Sequence, residues 1–495
     1  MTKGEMVLSY DIMMYERVFQ ILKNRIECGL LPAGSSLPSR VNLCEEFGTS
    51  EKTIRRALKM LKEQGLIDTQ QRKRPVISYN CNTVHRTAVL ALEKIDAEIT
   101  DDVLKTGVLL CYPVIKNGIS LCQKEDLERP RKILENMRIE NADEFWRLSK
   151  RFWRFFVARN ENDLSLRAVD SLGLGDLKPL QDDAVCRTKY YEQLQEFMRI
   201  IESGGAPESA PFDDMSGLYG FTYGDRPAFH APSDSTVVLG RERLEKLLSG
   251  AEVRYAAVYM DLLGLIAVGR YRRGDKLPTH RELQEKYGVC ADTTIKAIQM
   301  MQEWGVVKTV RGNGIFVEME LEELKKIQIP AHLIANQVRR YLDSLELLAL
   351  TVEGTAGCAA PRIAQEEIRA VKNKISRLWN EEYLYGRTPA VLLDFIIEHT
   401  GIDALNGVYA LLQRNLRIGR SIPALLHTEK TAVNCKIHEQ CVKAIDSLSS
   451  ENYAAFSGEA AAAFQSIYRL VIGECRRLGY YEAAMEVYDG SALWK

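Results

Sequence analysis

Apolar residues at Val18, Ile21, Leu22 and Ile26 recur at steps of three and four, the spacing of one amphipathic helix face. Gly29 follows as a C-cap, and Pro32, Gly34 and Pro38 mark a turn. Ser39 then stands where an N-cap belongs, opening a short second helix with Val41, Leu43 and Phe47 inward and Gly48 ending it. Ser50 caps a third helix whose buried stripe is Ile54, Ala57, Leu58 and Leu61 and which stops at Gly65. The period then shortens to the strand-like stretches LIDTQ, QRKRP and VISYN. Two short helices about a glycine turn make a helix-turn-helix, and three helices with a β-hairpin make a winged helix-turn-helix.

The pattern returns 240 residues later without a gap. Tyr15/Tyr255, Gly29/Gly269, Gly34/Gly274, Leu37/Leu277, Pro38/Pro278, Leu43/Leu283, Gly48/Gly288, Thr53/Thr293, Ala57/Ala297 and Gly65/Gly305 fall in register. They are turn glycines, a proline and helix-core positions, so both segments are expected to share one backbone. In the second copy the strands read VVKTV and IFVEM about Asn313-Gly314, a tight hairpin signal.

Each module is followed by about 160 or more residues that read as helical periodicity without strand signals. The same offset holds there, with RFWRFFVARNENDL from Arg151 opposite VLLDFIIEHTGIDAL from Val391. Ser203 to Ser235 is rich in Gly, Pro, Ser and Asp and reads as a linker; Arg241 to Ser249 reads as a short charged helix. The expected fold is therefore mainly α, with two winged helix-turn-helix domains, 1–80 and 251–320. Each is followed by an all-helical bundle domain, 81–202 and 321–495, with a linker and short helix over 203–250.

Composition narrows the function classes. The 495 residues are 46% apolar and 27% charged, ordinary for a soluble globular protein. No apolar run reaches the roughly 20 residues of a membrane span, and the start lacks the order of a signal peptide, so the expected location is cytoplasmic. Eleven scattered cysteines without zinc-type spacing read as reduced thiols. No P-loop, dinucleotide fingerprint or nucleophile elbow is present, and Gly312 to Gly314 is read as a wing. The expectation is no enzyme and no cofactor. Net charge is −1, but Lys and Arg outnumber Asp and Glu by 12 to 7 between Tyr15 and Asn80 and by 9 to 7 between Tyr255 and Glu318. A basic module in a neutral chain suits a polyanion such as double-stranded DNA.

The motif order resembles the DNA-binding domain of the GntR family of bacterial transcription regulators. Its LPS-x-R-x-L turn is echoed at Leu37-Pro38-Ser39 and Leu277-Pro278-Thr279, its G-V-S-x-x-T-V-R helix start at Gly48 to Arg55 and Gly288 to Ile295, and its R-G-x-G-x-F-V wing at Arg311 to Val317. The resemblance implies DNA contacts from Ser39, Arg40, Ser50, Lys52, Thr53, Arg55, Arg56, Arg72, Lys73 and Arg74 in the first copy. In the second it implies Thr279, His280, Arg281, Thr293, Thr294, Lys296, Arg311, Gly312, Asn313 and Gly314. The family arginine after the turn falls at Val41, with Arg40 beside it, and at Arg281. Arg72 and Arg74 replace the glycines of the first wing, exchanging close backbone approach for charge. Ile295 stands opposite Arg55 and Asp292 would face phosphate, so the second reader is expected to be the poorer one.

The helical segments resemble, more faintly, the FCD effector domain of the FadR-type branch, with Ile437 to Ile445 echoing one of its signatures. Many FCD domains hold a metal through one Asp and three His. Here Trp153 and Leu393 stand at one ligand position and Tyr191 at another, leaving His438, while His399 is off the family position. No metal is expected, because one imidazole cannot supply three or four ligands. The candidate effector pocket is Trp153, Asn162, Tyr191, His399 and His438. The aromatic run Phe152, Trp153, Phe155 and Phe156 and the two histidines also fit a plain structural role. The reading is a GntR-type regulator built as an intramolecular pseudo-dimer on an asymmetric operator, modulated by a small effector. The alternative is a ligand-sensing or scaffold protein with decayed DNA modules.

Overall fold

A computed structural model describes residues 15, 18–19, 22–23, 25–26, 31, 34–47, 49–63, 65–70, 73–78, 92–94, 97–173, 178–179, 184–205, 229–232, 254–267, 269–324, 326–327, 329–381, 384–425 and 430–487. Expectations resting on Ile21, Gly29, Pro32, Gly48, Arg72, Arg241 to Ser249 and most of Ser203 to Ser235 lie outside them.

The first module begins with helical residues at Tyr15, Val18, Phe19, Leu22 and Ile26. Helix α1 (Arg40–Phe47), helix α2 (Glu51–Glu63) and the antiparallel strands β1 (Ile67–Asp68) and β2 (Val76–Ile77) follow. Ile54, Ala57, Leu58 and Leu61 face inward as their spacing requires. Val41 does not: it is 65% exposed, whereas Leu43 on α1 is fully buried. Cys44 and Phe47 pack partly buried against the same core, so the inward face of this two-turn helix runs through Leu43, Cys44 and Phe47 and leaves Val41 on the other side.

Strand β3 (Leu92–Lys94) and helices α3 (Ala97–Leu121), α4 (Glu128–Glu135), α5 (Ala142–Ala158) and α6 (Asp163–Ser171) come next, then β4 (Lys178–Pro179), α7 (Ala184–Glu202) and β5 (Phe229–Pro232). The expectation of a helical half without strands is corrected here. β5, inside the segment read as linker, is the centre of a three-stranded antiparallel sheet between β3 and β4. Strands of two to four residues carry no readable alternation, and their pairing joins backbone far apart in sequence.

The second module contains α8 (Arg254–Ala267), α9 (His280–Tyr287), α10 (Ala291–Glu303) and the hairpin β6 (Val307–Val310) with β7 (Gly314–Val317). Helices α11 (Leu321–Leu324), α12 (Ala331–Ala359), α13 (Gln365–Asn380), α14 (Thr388–Glu398), α15 (Asp403–Leu416), α16 (Ile418–Ser421), α17 (Ala432–Ser449), α18 (Tyr453–Arg477) and α19 (Tyr480–Glu486) complete the chain. No helix among the described residues is long and apolar enough to cross a membrane.

Three hydrophobic cores organise these elements. The first module has its own, which among the described residues none beyond Ile77 joins. The second module does not: Val258, Leu262, Leu263 and Ile266 of α8 share a core with Leu342 and Leu345 of α12, Ile418 and Ile422, and Val471 of α18. The third core joins the two helical halves, with Val114, Phe152, Trp153 and Phe156 in one cluster with Leu348, Val352, Leu393 and Phe464. Side chains of the first half also bond to the second across this seam. Asp102 on α3 accepts from the Asp403 and Ala404 amides at the start of α15, at 2.8 and 2.9 Å. Asn162, N-cap of α6, donates from Nδ2 to the Asp343 carbonyl (3.0 Å) and to Glu346 Oε2 (2.7 Å) on α12. Orphan amides of a helix start are thus satisfied from the opposite half.

Candidate nucleic-acid interface and helical cavity

The two modules repeat their turns bond for bond. Gly34 N donates to Ile77 O and Gly274 N to Val317 O, both at 2.8 Å; Leu37 N donates to Pro75 O and Leu277 N to Ile315 O, again at 2.8 Å. Gly34 and Gly274 sit at φ 82° and 89°, a region that side chains disfavour. Isolated bridges tie Ser36 to Val76 and Lys276 to Phe316. Each turn between first and second helix is therefore stitched to its own wing, and helix and wing present one surface.

In the first module Ser39 Oγ accepts from the Asn42 amide, capping α1. Ser50 Oγ accepts from the Thr53 amide, capping α2. Thr53 itself is buried, 5% exposed, with its hydroxyl 3.0 Å from Ser50 Oγ, so it secures the cap and does not face outward. The outward face of α2 is a basic stripe of Lys52, Arg55, Lys59 and Lys62. Lys59 and Lys62 belong to it although the motif comparison missed them; their three- and four-residue spacing from Arg55 was the available signal. Glu51 binds two of the arginines, Arg55 Nη2 at 2.9 Å and Arg40 Nη1 at 3.1 Å. The hydrogen bond and charge of Arg55, then Arg40, hold the Glu51 carboxyl below its usual range. Arg56 lies 4.0 Å over the Tyr15 ring, a cation–π contact that ties α2 to the first helix. Lys73 and Arg74 are exposed in the first wing.

In the second module Thr279 and Glu282 form a complete capping box at the start of α9, and Gly288 at φ 62° ends that helix. Arg281 projects with its side chain 87% exposed, held only by Glu285 at 3.2 Å. His280 stands where Arg40 stands in the first module, and its Nδ1 lies 3.1 Å from the Thr294 hydroxyl; Thr294 is fully buried. Thr293 is half-buried, its hydroxyl 3.2 Å from Cys290 Sγ. Lys296 and Asp292 are exposed, and Ile295 is 41% exposed on the same end of α10. The wing is longer than the first, with four paired positions and Arg311, Gly312 and Asn313 at its tip; Gly312 and Gly314 have φ of 77° and 124°.

The five candidate effector residues are not brought together. Trp153 is fully buried, its indole N–H donating to Tyr190 Oη at 2.8 Å, and Tyr191 Oη donates to the Leu134 carbonyl. Asn162 belongs to the seam between the halves. His399 lies between the Phe395 carbonyl and Glu367, 2.8 and 3.2 Å away. His438 stacks on Trp379 at 4.0 Å, and it alone of the five lines a cavity of about 350 Å³ in the second helical half. Burial, then the charge of Lys430, hold His438 below the usual imidazole range. Leu393, 240 positions after Trp153, also lines that cavity. The wall further carries Arg387, Arg417 and Arg420, which no sequence motif singles out.

Among the described residues no three His, Cys, Asp or Glu side chains are grouped as a metal site requires. Elemental analysis of protein purified without chelator is expected to give well under one equivalent of zinc, nickel or manganese; a full equivalent would overturn this.

Comparison with known proteins bears on the two modules. Residues 14–77 and 254–317 each match the family described as bacterial regulatory proteins, gntR family. The HTH-type transcriptional regulator TreR of Bacillus subtilis is 31% identical over 64 residues, 13% of this chain and 27% of that protein. The Uxu operon regulator of Haemophilus influenzae is 40% identical over 52 residues, 10% of this chain and 20% of that protein. The HTH-type transcriptional repressor YtrA of Bacillus subtilis is 25% identical over 113 residues, 20% of this chain and 87% of that protein. The chain thus spans about a quarter or less of the length of the first two relatives. Among solved structures, Streptococcus agalactiae GntR is 19% identical, covering 44% of this chain and 99% of its own, with a TM-score of 0.22. E. coli McbR/YncC is 12% identical, covering 45% and 99%, with a TM-score of 0.23. Scores this low say nothing about the arrangement of the whole chain.

Proposed function

We propose that the chain is a DNA-binding transcription regulator whose two GntR-type modules act as the two unlike halves of one reader. The observation that carries this reading is the bond-for-bond repetition of the turn and wing at Gly34–Ile77 and Gly274–Val317. An α-helix end with a neighbouring wing fits the major groove and the flanking phosphates. The exposed basic stripe of α2 and the intact wing of the second module supply the two kinds of contact. The seam supports the pseudo-dimer part, because one core joins the two halves and Asp102 and Asn162 of the first bond to α15 and α12 of the second. A shared apolar core of this kind is what an obligate dimer interface has. A small effector held in the helical body would act by changing how the readers are presented.

A single chain is then expected to protect two half-sites about 10 bp apart or a multiple of that, with different bases in each. Genomic footprinting of the full chain tests it. A strict palindrome bound by two chains would remove the fused reader while leaving a DNA-binding regulator. The lack of any protected site would favour a ligand-sensing or scaffold protein instead.

A further inference from the structure

The cavity in the second helical half has an unusual balance of charge. Arg387 precedes α14, Arg417 precedes α16 and Arg420 lies within it; all three line the cavity. Among the described residues none of these guanidinium groups has a hydrogen-bonding or ion-pair partner. Asp394 is the single carboxylate in the lining, and its Oδ1 already accepts from Gln413 Nε2 at 2.7 Å. Arg420 is half-buried. Burial, followed by repulsion from Arg387 and Arg417, lowers its pKa and outweighs the opposing pull of Tyr341 and Asp394. The opposite wall is apolar, with Leu393, Ile437, Phe464 and Ile467. In the first half the corresponding place is filled: Trp153 occupies it, with its ring centroid 5.1 Å from Phe152 and from Phe197.

We propose that this cavity binds a small organic anion, its oxyanion head on Arg387, Arg417 and Arg420 and its apolar body against Leu393 and Phe464, and that the bound anion acts on the second reader alone. The planar fork of Arg matches carboxylate and phosphate oxygens two at a time, and a volume near 350 Å³ suits a ligand of modest size. The route to the second reader is short. Gly419 and Arg420 of α16 form cavity wall, and the next residue, Ser421, lies so close to α8 that a Cβ on Gly264 would stand 3.0 Å from its Oγ. Ala267, the last residue of α8, lines the cavity itself. α8 is the first helix of the second module and shares its core with α16, whereas among the described residues the first module shares no core with either. An anion that holds α16 in place therefore stiffens the base of one reader only. The binding step stands apart from the regulator reading; the action on a reader rests on it.

The test uses the full chain without DNA at constant ionic strength. Benzoate and phenyl phosphate serve as probes that share a ring and differ in head group, with benzamide as the uncharged control. At least one anion is expected to bind by calorimetry and raise the thermal midpoint, and the stronger of the two identifies the head group as carboxylate or phosphate. Arg417→Gln, Arg387→Gln and Arg420→Gln should each weaken it about 10-fold or more. The first two side chains are exposed at the mouth, so those variants keep the fold. No binding by either anion, equal binding of benzamide, or undiminished binding in the exposed-arginine variants would overturn the site. Hydrogen exchange of the same samples should slow over 254–267 and 418–421 with the bound anion and stay unchanged over 40–63. Equal slowing in the first module, or none in α8, would overturn the one-sided action and leave the DNA-reading proposal to be judged by its own footprint.

Discussion

Replacing Trp153 by Ala is expected to lower the stability of the helical body by about 3–5 kcal/mol, the range for deleting a fully buried large aromatic. Trp153 is fully buried, with Phe152, Phe156 and Phe197 around it at centroid distances of 5.1, 6.4 and 5.1 Å. Its indole N–H donates to Tyr190 Oη, which also bonds Ser149 Oγ at 2.8 Å. Rings packed on several sides cannot collapse into the space left by one of them, so the cavity term adds to the lost transfer energy. Trp153→Phe keeps most of the volume and leaves Tyr190 its serine partner, so it should cost much less. Denaturant titration followed by near-ultraviolet circular dichroism measures both. A loss under about 1 kcal/mol for the alanine variant would mean that this core is not packed as described. The core joins both halves, so the damage should spread beyond α5 to α12 and α14, whose Leu348, Val352 and Leu393 belong to it.

Arg55→Ala is expected to weaken specific DNA binding by about 1–3 kcal/mol, or roughly 5- to 150-fold, and to relax base preference at one half-site. Arg281→Ala should do so at the other. Both side chains are highly exposed, at 68% and 87%, and each is held by one surface carboxylate, Glu51 and Glu285. Exposed pairs of this kind are weak and give way to phosphate or a base edge. Arg56→Ala should behave differently, disturbing the contact of α2 with Tyr15 before it disturbs sequence reading. Lys73→Ala and Arg74→Ala in the exposed first wing should weaken all DNA alike and reduce the salt slope by about 1 per lost phosphate contact. Footprinting and salt titration on specific and random duplexes separate these outcomes. Equal loss of base preference from α2 and wing substitutions would sink the division between reading and gripping. Ile295 and Asp292 at the exposed end of α10 leave the second half-site to shape and backbone contacts.

Local chemistry made much of the DNA-facing architecture legible. Glycines at Gly34, Gly65, Gly274 and Gly305 adopt the positive φ that their turns demand, and Ser39, Ser50 and Thr279 cap the helices they precede. The inward stripe of α2 follows from its period, because these signals act within one or two helical turns. What depended on distant partners was not legible. Thr53 and Thr294 carry the family's spacing, yet only the packed module shows their hydroxyls turned inward. The β3–β5–β4 sheet joins backbone from three separated stretches. The cap given by Asp102 to α15 and the bonds from Asn162 to Asp343 and Glu346 on α12 exist only once the halves meet. Whether a bundle is filled or hollow was likewise a tertiary matter. The same offset places Trp153 in one half and Leu393 in the other, but the side chains converging from other helices made one site solid and left the other open beside Arg387, Arg417 and Arg420. Sequence alone determined the two modules and their unequal chemistry; the tertiary structure decided which of them is built into the helical body, because among the described residues burial of α8 against α12, α16 and α18 has no counterpart around the first module.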